Sequence, residues 1–135
     1  MIKKAFSSDY SINSIIGENT SFKGVFNIKG PLRIDGDFNG KIVSSGKVII
    51  GKTGRVESLI LAKHVTIGGV VKGNIYAEEK VFILKSSEII GNIYSASVIM
   101  EDGVIFNGKC EILQKNNIKE IIDSKKKESY NFSGN

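Results

Sequence analysis

The 135-residue chain holds one cysteine, one histidine and one proline, and each scarcity removes a class of answers. A lone Cys110 cannot close an internal disulfide, which fits a reducing cytoplasm. With His64 as the only histidine, a zinc site cannot be built without help from carboxylates or other subunits. A single proline beside 15 glycines suits many tight corners and excludes a collagen-like repeat. No run of 18 apolar residues occurs, so no transmembrane span is expected. The first residues lack a long apolar h-region, so no secretory signal peptide is expected either. The formal charge of +5 is spread as +1 over residues 1–13, +2 over 14–112 and +2 over 113–135. So even a spread excludes dedicated nucleic-acid binding.

What the chain has in quantity is repetition. Between Leu32 and Ser97 the same phrase is written four times, as LRIDGDFNGKIVSSGK, VIIGKTGRVESLILAKH, VTIGGVVKGNIYAEEK and VFILKSSEIIGNIYSAS. The opening residues Leu32, Val48, Val65, Val81 and Val98 follow one another at intervals of 16, 17, 16 and 17. Flanking copies begin at Ser14 and Val98, which makes six. Within each copy apolar residues alternate, the period of a strand rather than a helix. The columns are Leu32/Ile34 and its equivalents, then the Phe22-Gly24-Phe26 and Phe38-Gly40-Ile42 type, then Ile28, Ser44, Ala62, Ala77, Ser95 and Ile112.

A unit of about 17 residues cannot bury an apolar face alone, but stacked coils put each column on top of itself. The fold class expected is therefore all-β, a single-stranded β-helix of about six rungs. Three inward segments per coil give a roughly triangular cross-section, and a spacing of ~4.8 Å gives a rod on the order of 30 Å long. The glycines and serine in the middle of the second group are expected to leave room for bulky neighbours. Residues 14–112 form the rod, 1–13 a flexible N-terminal segment, and 113–135 a polar, disordered tail. Within that tail Ile118, Ile121 and Ile122 could form one turn of helix over the rod's end. The run Lys125-Lys126-Lys127 reads as a solvated charge cluster.

No chemistry recurs with the repeat. His64 sits just before an opener, where other copies carry Lys47, Lys80 and Ser97, so it belongs to a surface column. Cys110 falls in an inward column, where a small hydrophobe is expected. The acidic pairs Asp35/Asp37, Glu78/Glu79 and Glu101/Asp102 lie at corners as solvated charges. The glycines open no helix, so neither a phosphate-binding loop nor a dinucleotide fingerprint is present. Catalytic residues, metal ligands and cofactors are accordingly expected to be none.

The ends and outer faces carry the remaining signal. A strand solenoid that stops leaves unpaired backbone over an apolar section, which proteins normally cap. The first rung offers Phe22, Phe26 and Ile28, and the last Met100, Phe106, Cys110 and Ile112. These are expected to be covered by another copy, making a filament. Two outward columns are also apolar: Val43, Leu61, Tyr76 and Tyr94 form one, a lateral or partner surface, and Arg33, Ile49, Thr66, Phe82 and Ile99 the other. At the N-terminus Met1, Ile2 and Phe6 flank Lys3 and Lys4, a composition able to press into an anionic bilayer surface when many copies are presented together.

The segments IGENTSFKGVFNIKGPLRIDGDFNGKI, VIIGKTGRVES, VVKGNIYA and IIGNIYSA resemble the bactofilins, a family of bacterial cytoskeletal proteins. The resemblance covers roughly residues 14–112. It implies a right-handed hand for the β-helix, flexible termini, and end-to-end self-assembly without nucleotide into filaments that scaffold cell shape and cell-wall proteins. It also implies attachment to the inner face of the cytoplasmic membrane through the N-terminal peptide, to which MIKKAF is similar, and a polymerisation role for Phe106. The alternative is a trimeric acyltransferase built on hexapeptide coils. Those repeat in units of six, a rhythm missing here.

Overall fold

The computed structural model describes residues 14–133. Among these residues thirteen strands, β1 (Ser14–Ile16), β2 (Ser21–Ile28), β3 (Leu32–Ile34), β4 (Asp37–Ser44), β5 (Lys47–Ile50), β6 (Arg55–Ile67), β7 (Val70–Lys72), β8 (Ile75–Ile83), β9 (Glu88–Ile90), β10 (Ile93–Ser95), β11 (Val98–Met100), β12 (Ile105–Asn107) and β13 (Cys110–Ile112), precede a helix, α1 (Lys115–Ser133). The strand pairings link residues about one repeat apart and are parallel, so the chain winds into a parallel β-solenoid of about six turns.

Each turn has three faces. Face 1 stacks the openers, with Ser14 beside Leu32, Leu32 beside Val48, Val48 beside Val65, Val65 beside Val81 and Val81 beside Val98. Face 2 stacks Phe22, Phe38, Val56, Val71, Ile89 and Phe106. Face 3 stacks Phe26, Ile42, Ile60, Ile75, Ile93 and Cys110. The inward residues of the middle coils form one continuous core that includes Leu32, Ile34, Ile50, Ile60, Ile67, Ile75, Ile83 and Ile93. β-branched side chains suit this interior because they pack tightly on a pleated surface. Each fully buried one contributes about 1.5–3 kcal/mol relative to exposure.

Polar groups inside the prism are matched. The hydroxyl of Ser44 donates to the Gly30 carbonyl at 2.6 Å and that of Ser87 to the Ile67 carbonyl at 2.6 Å. Corners are tied from coil to coil, the Asn74 amide oxygen accepting from the Asn92 N–H and the Asn92 amide oxygen from the Lys109 N–H, each at 3.1 Å.

The glycine column between faces 2 and 3 has a different cause from the one its sequence position suggests. It does not make room for bulky neighbours. At Gly40 the chain turns the corner with φ +142°, and a Cβ there would overlap the Gly24 carbonyl oxygen of the coil below. Only glycine combines that backbone conformation with that closeness. Ser58 is the one non-glycine of the column, and it turns the corner without a positive φ.

Candidate functional site

The two end coils use the same columns as the middle ones but lack one neighbour. Phe38 and Ile42 are buried in the second coil, whereas Phe22, Phe26 and Ile28 of the first are only half-buried. Phe22 stacks on Phe38 at 5.1 Å between ring centroids and meets Phe26 edge-on at 5.4 Å, and among the described residues no coil precedes it on its other side. At the opposite end Phe106 is half-buried, Met100 is 40% exposed and Ile112 58% exposed. Ala77, in the column of Ile112, is fully buried two coils earlier. Among the described residues, β1 and β2 have a strand partner on one side only, as do β11, β12 and β13. Both tips therefore present apolar side chains on strands that no further coil of the described residues continues.

Cys110 belongs to this tip. Its column is inward, yet the thiol is exposed rather than buried as a small hydrophobe, because no coil follows it. Partial burial still pushes its pKa up.

Lys115–Ser133 is not the expected disordered tail. It forms the 19-residue helix α1, and it packs on the side of the rod rather than over its end. Ile118 and Ile122 are buried, and with Ile121 and Leu113 they sit on Val43, Leu61, Tyr76 and Tyr94. The rings of Tyr76 and Tyr94 stack at 4.7 Å, and the Lys125 ammonium lies 5.1 Å from the Tyr76 centroid. The Lys41 ammonium donates to the Lys125 carbonyl at 3.0 Å, which anchors the helix near the second coil. The stripe expected to meet a partner is thus covered by the chain itself, because three isoleucines at helical spacing find in it the apolar surface they need.

A polar clamp fixes the start of the helix. The Glu79 carboxylate accepts from the Lys115 ammonium at 2.7 Å and from His64 Nε2–H at 2.7 Å, with the Lys63 ammonium 3.7 Å away. Those hydrogen bonds, Lys115 first and His64 second, hold its pKa down at about 2. Glu79 is accordingly no free corner charge but the point where rod and helix are tied. The other acidic corners are simpler. Asp35 accepts from Arg33 at 2.9 Å, and Glu101 accepts from the Lys85 backbone N–H at 2.8 Å.

Among the described residues no group of three His, Cys, Asp or Glu side chains converges on a point that could hold a metal ion, and no helix is long and apolar enough to cross a membrane. The run Met1, Ile2, Lys3, Lys4 and Phe6 lies outside the described residues.

The family described as "Bactofilin: Polymer-forming cytoskeletal" matches residues 14–111, the whole rod without the helix. Bactofilin BacO of Myxococcus xanthus is 30% identical over 103 residues, covering 76% of this chain and 82% of its own length. Bactofilin BacP of the same organism is 28% identical over 100 residues, covering 74% of this chain and 42% of that longer protein. Among solved structures, a cryo-EM reconstruction of Thermus thermophilus bactofilin double helical filaments matches with TM-score 0.68 and 34% identity, over 72% of this chain and 96% of that one. The crystal structure of a phenylalanine-to-arginine mutant of the same bactofilin matches with TM-score 0.62 and 34% identity, over 65% and 98%. The solid-state NMR structure of the cytoskeletal bactofilin BacA matches with TM-score 0.66 and 28% identity, over 74% and 96%.

Proposed function

Since this chain belongs to the bactofilin family of polymer-forming cytoskeletal proteins, we propose that it assembles end to end, without nucleotide, into filaments that scaffold cell shape and cell-wall machinery at the inner face of the cytoplasmic membrane. The observation that carries the reading is the pair of apolar tips, which no coil or helix of the described residues covers. Phe22, Phe26 and Ile28 at one end, and Met100, Phe106, Cys110 and Ile112 at the other, stand in columns that are buried wherever a neighbouring coil exists. A second copy supplies that coil, continues the strand ladders and removes the apolar section from water. The Thermus thermophilus relative forms double helical filaments, and the paired state is carried over to this chain as part of the proposal.

Membrane attachment is assigned to Met1, Ile2, Lys3, Lys4 and Phe6. One such peptide binds weakly, and a filament that presents it many times binds firmly.

The test is negative-stain imaging of the full chain without nucleotide, beside Phe106→Arg. Filaments are expected from the first. In the variant an arginine enters an apolar junction without a partner, which costs about 3 kcal/mol or more. That is at least a hundredfold in junction affinity, so short oligomers are expected. Long filaments of Phe106→Arg would show that this tip is not a junction. A sharp trimer of the unaltered chain in sedimentation would refute polymerisation altogether and favour the acyltransferase-like architecture.

A further inference from the structure

We propose that face 1 is the surface through which two filaments of this chain pair, the outward ladder Ile15, Arg33, Ile49, Thr66, Phe82 and Ile99 meeting the same ladder of a second copy. The inference rests on the end-to-end assembly proposed above and names the face used for lateral contact.

Each of the other faces is already committed or is costly to dehydrate. Helix α1 closes the apolar stripe of face 3. Face 2 carries opposite charges in register, Asp37 beside Arg55 and Glu57 beside Lys72. An open concavity of about 730 Å³ lies over it, lined by Lys23, Arg55 and Lys72 against Asp37, Glu57 and Glu88. That balance selects no ligand of one sign, and pressing a second rod onto it strips water from every one of those charges.

Face 1 carries its charge at one margin, in the column of Lys47, His64 and Lys80, and not along its central ladder. Four of the six side chains of that ladder are apolar, and the two at the tips are open to water, Ile15 at 61% and Ile99 at 42%. The Arg33 guanidinium is held by Asp35 at 2.9 Å, so its charge is partnered within its own coil. The ladder reaches both terminal coils, so end-to-end stacking prolongs it from one subunit to the next.

The size of the patch explains why it acts only in a polymer. Three strand residues span ~10 Å and six coils ~29 Å, so one rod offers on the order of 300 Å². A stable complex of two proteins needs about 800 Å² from each. Two single rods therefore stay apart, and two filaments pair because the contact repeats along their length.

The experiment images the full chain and the variants Phe82→Glu and Ile49→Glu by electron microscopy. The unaltered chain is expected to give paired filaments, and both variants single filaments of half the width and undiminished length. Lys72→Glu, on face 2, is expected to stay paired. Pairs that persist in both face 1 variants overturn the proposal, as does a folded variant that makes no filaments. If a variant fails to fold, Thr66→Lys carries the same test without touching the core. Variants that stay paired but lose binding to vesicles of anionic phospholipid would reassign the face to a membrane. A full chain that makes no filament at all defeats the end-to-end reading instead, and one that makes only single filaments defeats this inference alone.

Discussion

Replacing Ile118 by alanine tests how the helix is held. Ile118 is fully buried against the stripe of Val43, Leu61 and Tyr76, and Ile122 beside it is 5% exposed. Two buried isoleucines contribute about 2–3 kcal/mol each, with smaller additions from Ile121 and Leu113. Against this stands the cost of ordering a 19-residue helix that is marginal by itself in water. The net docking free energy is therefore a few kcal/mol. Truncating a buried isoleucine to alanine costs about 2–5 kcal/mol, most of what holds the helix in place. A loss of 2–4 kcal/mol raises the undocked population about 30- to 700-fold.

Native-state hydrogen exchange reads this directly. The amides of residues 118–126 should exchange faster by that factor, while those of Val48, Val65 and Val81 on face 1 keep their rates. Two results refute the reasoning. Unchanged helix amides would mean that Ile118 does not hold the helix. An equal acceleration on face 1 would mean that helix and rod open as one cooperative unit.

The Glu79 clamp predicts a pH dependence of the same helix protection. A carboxylate whose folded pKa is about 2, against an ordinary 4.5, stabilises docking fully above about pH 4.5 and loses that contribution as pH falls toward 2. Protection of the helix amides, taken relative to their intrinsic exchange at each pH, should accordingly stay flat from pH 7 down to about 4.5 and then fall, and Glu79→Gln should remove the step; a step that survives the substitution would place its cause elsewhere. The glycine column predicts a second contrast, because Gly24 and Gly40 share φ near +141° but only a Cβ at Gly40 meets the backbone of a coil below. Gly24→Ala should therefore carry backbone strain alone, about 1–3 kcal/mol, and Gly40→Ala should lower the thermal midpoint clearly further; equal shifts would show that the coils move apart at no cost.

How legible this was in the sequence differs by element. The rod could be read because alternation and a 16- to 17-residue interval are local signals, and the observed registers repeat them residue by residue, as in Leu32 beside Val48 beside Val65. The helix was harder. Its first turn holds no acidic residue, and its apolar signal is only Ile118, Ile121 and Ile122, so the polar composition around them reads as tail. The signal that could have found it was a pairing of two unexplained features. Three isoleucines at helical spacing lacked a partner, and so did the outward stripe of Val43, Leu61, Tyr76 and Tyr94. The Glu79 clamp left no local trace, since the neighbours Lys63 and His64 reach it from one place in the chain and Lys115 from another. Cys110 was misjudged for a positional reason: strand alternation says which way a side chain points, and only the absence of a next coil says that it meets water.

The position of α1 bears on what the rod is for. A solenoid gains stability coil by coil, and each interior coil is buried by its two neighbours alone. Evolution can then alter only the outer faces and the tips. For a monomeric rod the greater gain lies at a tip, where an added helix would cover both an apolar section and a row of unpaired backbone groups. Here the added helix lies on face 3, whose backbone is already paired from Phe26 through Ile42, Ile60, Ile75 and Ile93 to Cys110. It covers four outward side chains and leaves Phe22 and Phe106 as they were. A cover at the side is compatible with growth along the axis, and a cap at the tip is not. The placement is what a subunit needs whose sides require protection and whose tips require a partner.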